Sequence, residues 1–138
     1  MEDLKSLDIV LVSAVALIDV EDRILISQRP MHKSMGGLWE FPGGKLEASE
    51  TPENALVREL KEELDIDVSQ SCLAPLTFAS HCYDNFHLVM FLYVCRVWDG
   101  IPVPKEKQKI KWVAPSKLDE YPMPPADKPL IPLLNEFL

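Results

Sequence analysis

The chain has 138 residues, 47% of them hydrophobic, enough for one compact domain with a core of its own and too few for two ordinary ones. A formal net charge of -8 opposes binding to nucleic-acid polymers through counterion release, so an anionic small molecule, bridged by a cation, is the expected partner. No basic segment leading into an apolar run opens the sequence, and no apolar stretch approaches the roughly 18 residues of a spanning helix, which predicts a soluble, cytoplasmic protein with no membrane partner.

In chain order, residues Ile9 to Ile18 are nearly all apolar and rich in β-branched side chains, the pattern of a strand buried on both faces. Asp19 to Arg23 turns the chain, and Ile24 to Ser27 reads as the second strand of a hairpin. Arg29-Pro30 through Gly36-Gly37 reads as a loop that contains His32, and Leu38 to Phe41 as a short strand ending at Pro42-Gly43-Gly44. A helix begins at Thr51, a good N-cap, with Pro52 in its first position and Glu53 in its first turn. Leu56, Leu60 and Leu64 form its core stripe, while Glu59, Glu62 and Glu63 project together on another side.

Leu73 to His81 and His87 to Trp98 read as two longer strands joined by a polar turn at Tyr83 to Phe86, and Ile110 to Val113 as a further short one. A proline-rich stretch, Pro115 to Pro125, holds at most one helical turn around Ser116 to Leu118, and Leu130 to Leu138 has the spacing of a terminal helix. Strands on both sides of one helix with another at the end predict a single α/β domain, a mixed sheet sandwiched between helices. Cys72, Cys82 and Cys95 form no CxxC pair and are odd in number, so they read as reduced thiols that mostly fill the core.

The chemistry-bearing stretch runs from Gly44 to Ile66. Taken alone, Glu59-Leu60-Lys61-Glu62-Glu63 is the pattern of a solvated acidic face. Its carboxylates also suit a hard divalent cation such as Mg²⁺ or Mn²⁺, which takes oxygen ligands and is often shared with substrate phosphates. An ion there would remove the repulsion of about a few tenths of a kcal/mol between like charges one turn apart. Arg58 can orient a neighbouring carboxylate through a bidentate contact.

The spacing as a whole resembles the Nudix box: Gly44, Glu50, Arg58, Glu59, Leu60, Glu62, Glu63 and Ile66 match in register. Asp65 stands where the pattern has Gly, a departure that Asp tolerates because it accepts the left-handed conformation usual after a helix. The resemblance implies a Nudix fold, a bound Mg²⁺ with Mn²⁺ as the alternative, and hydrolysis of nucleoside diphosphates linked to another group. It implies Glu59, Glu62, Glu63 and the Gly43 carbonyl as metal ligands, with Glu50 and Arg58 supporting the loop and helix.

From Val15 to Leu134 the chain is most similar to MutT-type enzymes of this family, through Gln28-Arg29, the run Leu38-Trp39-Glu40-Phe41-Pro42-Gly43-Gly44-Lys45, and Pro124 to Leu130. That likeness implies cleavage of an oxidised nucleoside triphosphate such as 8-oxo-dGTP to monophosphate and pyrophosphate, by water attack at the β-phosphorus, by a monomer or weak homodimer. Glu106 falls where this group has a further glutamate near the metals, a candidate ligand and base. Arg29, Glu40, Phe41, Lys45 and Phe78 are candidate substrate contacts, and His81 and Phe86 lie near the same expected pocket.

Asp127 is the informative departure, since MutT has Asn there, and an amide both donates and accepts whereas an ionised carboxylate only accepts. A related CTP pyrophosphohydrolase-like group carries Asp in this segment, which leaves the base open between oxidised guanine and cytosine. Asp127 as N-cap of the final helix is the competing reading.

Overall fold

The computed structural model describes residues 8–138. Strands β1 (Asp8–Leu17), β2 (Ile24–Gln28), β3 (Trp39–Glu40) and β4 (Gly43–Lys45) precede helix α1 (Pro52–Leu64). Strands β5 (Ala74–Cys82), β6 (Phe86–Cys95) and β7 (Lys109–Val113) follow, then a 3-10 segment at Pro115–Glu120 and helix α2 (Leu130–Phe137).

The strands form two sheets, one ordered β4-β1-β6-β5 and the other β3-β2-β7. In the first, β1 and β6 run parallel from Asp8↔Phe86 to Leu17↔Cys95, and α1 supplies the long crossover between the edge strands β4 and β5 that flank them. Strand β2 therefore departs from the expected hairpin. Only an Ile18↔Ile24 bridge links it to β1, and its ladder partners are β3 and β7.

Two cores sandwich the sheets. On one side Leu56, Leu60 and Leu64 of α1 close over Val15, Leu17, Leu25, Tyr93 and Cys95, all buried. On the other, Leu130 and Leu134 of α2 close over Ala14, Ala16, Ile24, Ile26 and Leu92. Each fully buried leucine contributes about 1.5–3 kcal/mol, so these stripes fix both helices more firmly than helix propensity does.

The expected two-face burial of β1 holds only for its second half. Ile9 and Leu11 are exposed, while Val10 and Val12 border an open cleft on the opposite face. Cys95 is buried as expected, but Cys82 is exposed and Cys72 only partly covered, so thiols as core filler holds for one position of three.

Candidate active site

The cleft, about 550 Å³, opens between the two sheets where β1, β2 and β6 lose their helix cover. One end is built by the segment from Gly43 to Leu64. Thr51 caps α1, its Oγ1 accepting from the Asn54 N–H at 3.1 Å, and Asp65 ends it at φ 58° and ψ 38°, the left-handed conformation expected of that position. Glu59 rests directly against Gly44, where a Cβ would collide with its carboxylate, and a Cβ at Gly43 would collide with the Ser13 carbonyl. Glycine is thus required at Gly43, where the obstacle is backbone and φ is 151°, whereas a side chain at Gly44 would displace the Glu59 carboxylate.

Arg58 ties this end together. Its Nε and Nη2 donate to the two oxygens of Glu50 at 2.7 and 2.9 Å, Nη2 donates to the Lys45 carbonyl at 3.1 Å, and Nη1 donates to Glu59 at 3.2 Å and Glu62 at 3.3 Å. The Arg58 guanidinium, with the Glu47 N–H, holds the Glu50 carboxyl down to about 2. Glu50 is a strut between loop and helix, the supporting part expected of it.

Glu59 and Glu63 are in contact. Burial raises both carboxyls above their ordinary range, and for Glu63 the charges of Glu59, Glu106 and Glu40 raise it further. Glu106 reaches this place because the last carbonyls of α1 need donors. Val103 N–H bonds the Leu64 carbonyl at 2.9 Å, and Lys105 N–H and the Gln108 side chain both bond the Glu63 carbonyl at 2.9 Å. Gln108 in turn accepts from the Glu106 N–H at 2.8 Å, so the helix end docks the loop that carries Glu106.

The far end is built from distant segments. Asp127 is 5% exposed, and its Oδ2 accepts from the Phe41 N–H at 3.4 Å. Burial, then the charge of Glu40, pushes its carboxyl up to about 7. Its side chain does not cap α2, whose first turn follows Pro129 with no side-chain cap. Between the two ends lies Glu40, raised by burial and opposed by Arg29, whose Nη1 lies 3.3 Å from it. Arg29 Nε also donates to the Ser34 carbonyl at 2.8 Å, folding the loop over the cleft.

Of the residues expected in the site, Arg29, Glu40, Phe41, Gly43 and Lys45 border this cleft, as do Glu59, Glu63, Glu106 and Asp127. Glu62 does not border it; its side chain is 53% exposed and paired with Arg58. Phe78 is a correction. It is 62% exposed and lies in a separate shallow groove with Phe91 and Tyr93, because its register places it on the sheet face opposite Leu88 and Met90. His81 is not on the cleft wall and packs its ring on Tyr83, Phe86 is on the wall, and His32 is exposed.

Tyr83, Gln108 and Lys33 border the cleft without having been singled out in the sequence. The one local signal for Tyr83 was a pair of aromatics flanking the Asp84-Asn85 turn.

Paired, partly buried carboxylates facing a cleft suit a hard divalent cation that offsets their repulsion. Among the described residues no three side chains stand ready as a preformed ion cage, so Glu59 and Glu63 are the fitting pair and further oxygens would join them. A carboxylate-bearing helix beside such a cleft fits a metal-dependent hydrolase. Residues 13–133 match the NUDIX domain model, and the chain belongs to the Nudix family, whose hydrolases need divalent metal ions.

Within the family its relatives include proteins named as diphosphatases and as a pyrophosphohydrolase. It is 44% identical over 98 residues to the 8-oxo-dGTP diphosphatase of Proteus vulgaris, covering 71% of this chain and 83% of that protein. It is 38% identical to the CTP pyrophosphohydrolase of Escherichia coli K12, covering 89% and 87%. A structure from a study of MutT from Aliivibrio salmonicida and Vibrio cholerae superposes with a TM-score of 0.80 at 32% identity, covering 95% of this chain and all (100%) of that one. Among the described residues no helix is long and apolar enough to cross a membrane.

Proposed function

We propose that this protein hydrolyses oxidised purine nucleoside triphosphates such as 8-oxo-dGTP to the monophosphate and pyrophosphate, with Mg²⁺ as the working ion. The observation that carries this reading is the enclosed Asp127 carboxyl at the opposite end of one cleft from the Glu59–Glu63 pair. At about 7 the carboxyl is close to half protonated at neutral pH, so it both donates and accepts, as recognition of an oxidised guanine edge requires.

In the reaction a water oxygen bonds to the β-phosphorus as the bond from that phosphorus to the α–β bridging oxygen breaks. Monophosphate leaves with that oxygen, and the water proton passes to Glu106, which stands beside Glu63 in the docked loop. Glu59 and Glu63, with Glu62, Glu106 or the Gly43 carbonyl, would hold the ion, which would neutralise phosphate charge and acidify the water. Lys45 and Arg29 meet the phosphates, and the Phe41 backbone and Asp127 meet the base.

A second reading, cytosine nucleotides as substrate, is favoured by Asp rather than Asn at position 127 and by the likeness to the CTP pyrophosphohydrolase. The test is pyrophosphate release from 8-oxo-dGTP, dGTP, CTP and dCTP with Mg²⁺, for wild type and Asp127→Asn. Preference for 8-oxo-dGTP over dGTP and dCTP supports the first reading, faster cleavage of CTP or dCTP supports the second, and no pyrophosphate from any of them defeats both.

A further inference from the structure

The loop that carries Glu106 lies between two fixed elements, the C-terminal end of α1 and the start of β7. Gln108 is the last residue before β7, and its neighbour Lys109 is already in register with Gln28 of β2. The sheet therefore anchors the backbone beside Gln108, whereas Glu106, two residues earlier, is exposed. Lys107 between them is left-handed, at φ 63°, a reversal that brings the Glu106 N–H over the Gln108 side chain.

The Gln108 amide makes two bonds of opposite sense. Its Oε1 accepts from the Glu106 N–H at 2.8 Å, and its Nε2 donates to the Glu63 carbonyl at 2.9 Å. That carbonyl belongs to the last turn of α1, where the helix supplies no donor of its own. A carboxamide suits both bonds at once, since an ionised carboxylate has no donor and an ammonium no acceptor. One planar group thus joins the main chain of Glu63, whose side chain meets Glu59, to the main chain of Glu106. Glu63, Glu106 and Gln108 all border the cleft, so the junction stands at its carboxylate end. The Val103 and Lys105 N–H bonds to α1 stop one residue short of Glu106.

We infer that Gln108 is a positioning residue: through its paired bonds to the Glu106 N–H and the Glu63 carbonyl, it holds the Glu106 carboxylate against the Glu59–Glu63 pair, where it takes the proton of the attacking water. The inference rests on the hydrolase reading above. Gln108 acts through Glu106, so its loss slows turnover and leaves triphosphate binding as it is.

The experiment is a double-mutant cycle of Gln108→Met and Glu106→Gln, with kcat and KM measured for the preferred triphosphate at saturating Mg²⁺. Amide hydrogen exchange at residue 106 is read by NMR in the metal-free protein, and a melting temperature is recorded for each variant. Methionine keeps the length of the side chain and makes neither bond. Gln108→Met is expected to lower kcat about tenfold with KM within about twofold, because a small displacement of a proton acceptor is costly in the chemical step. Exchange at residue 106 should quicken about tenfold, the worth of one lost hydrogen bond. In the Glu106→Gln background the same change should move kcat by less than about twofold, since the group it positions is gone. An unchanged kcat overturns the inference, as does an equal kcat penalty in both backgrounds, a loss confined to KM, or unchanged exchange at residue 106. If Gln108→Met does not fold, Gln108→Glu keeps an acceptor for the Glu106 N–H but no donor for the Glu63 carbonyl. Its kcat should also fall only where Glu106 is present, and a penalty independent of Glu106, or none, overturns the inference. A wild type that releases no pyrophosphate from any triphosphate defeats the hydrolase reading instead, and exchange at residue 106 still decides whether Gln108 holds the loop.

Discussion

The two ends of the cleft are built in opposite ways. The carboxylate end comes almost entirely from 43–63, a contiguous stretch in which Arg58 reaches Glu50 and Lys45, and Glu59 rests on Gly44. The base end draws on β2, the segment around Phe41, the β5–β6 hairpin and the turn before α2. A local unit can keep its chemistry while the surrounding fold drifts, whereas a composite unit changes selectivity whenever any one of its segments moves. Charge differs too: the local end crowds carboxylates that call for a cation, and the composite end buries one carboxyl beside Glu40, where burial keeps it partly neutral.

The sharpest way to break this contrast is at the local end. Glu63→Gln is expected to lower kcat by about 10²–10⁴-fold at saturating Mg²⁺ while raising the melting temperature in chelator, because burial and Glu59 both oppose its charge. Pyrophosphate release and thermal melting check the two halves, and full turnover by Glu63→Gln would refute the assignment.

The composite end is tested by pH. The Asp127 carboxyl, raised to about 7 from 3.8, keeps a proton in the folded state that the unfolded chain releases. Its contribution to stability is therefore complete below the lower value and is lost as pH rises through the window between them. Asp127→Asn should match wild type at low pH and exceed it by about 2–4 kcal/mol at pH 8, measured by denaturant unfolding across pH. A constant difference between the two proteins would mean that Asp127 is ionised throughout.

Arg58→Ala should act on the local end alone, lowering the melting temperature by on the order of 5 °C and weakening Mg²⁺ binding, with the ranking of substrates unchanged. A reordered substrate ranking would show that the two ends are coupled. The smallest effect belongs to Asp65→Gly. Relief of the left-handed backbone at φ 58° is set against a Lys61–Asp65 pair at 3.2 Å that is exposed on both sides, for a net gain of a few tenths to about 1 kcal/mol with activity unchanged. A lowered melting temperature would mean that the exposed pair outweighs the backbone strain.

By itself the sequence determined the reaction class, because the paired glutamates and the Arg58 that supports them lie within reach along one strand, turn and helix, with Glu106 added by a docked loop from farther along the chain. The Thr51 cap, the leucine stripe, the glutamates and the left-handed Asp65 are all local in origin, and each stands where its spacing puts it. Only the tertiary structure decided which residues enclose the base. Phe78 and Phe86 look alike in sequence, yet the β5–β6 register and the irregularity between Pro75 and Thr77 turn Phe78 to the outer face, while Phe86 borders the cleft. Strand side chains alternate faces, so a one-residue difference in pairing reverses what a residue can touch. Asp127 could equally have capped a helix or met a ligand, and it was the packing of its turn against Phe41 that buried it in the cleft.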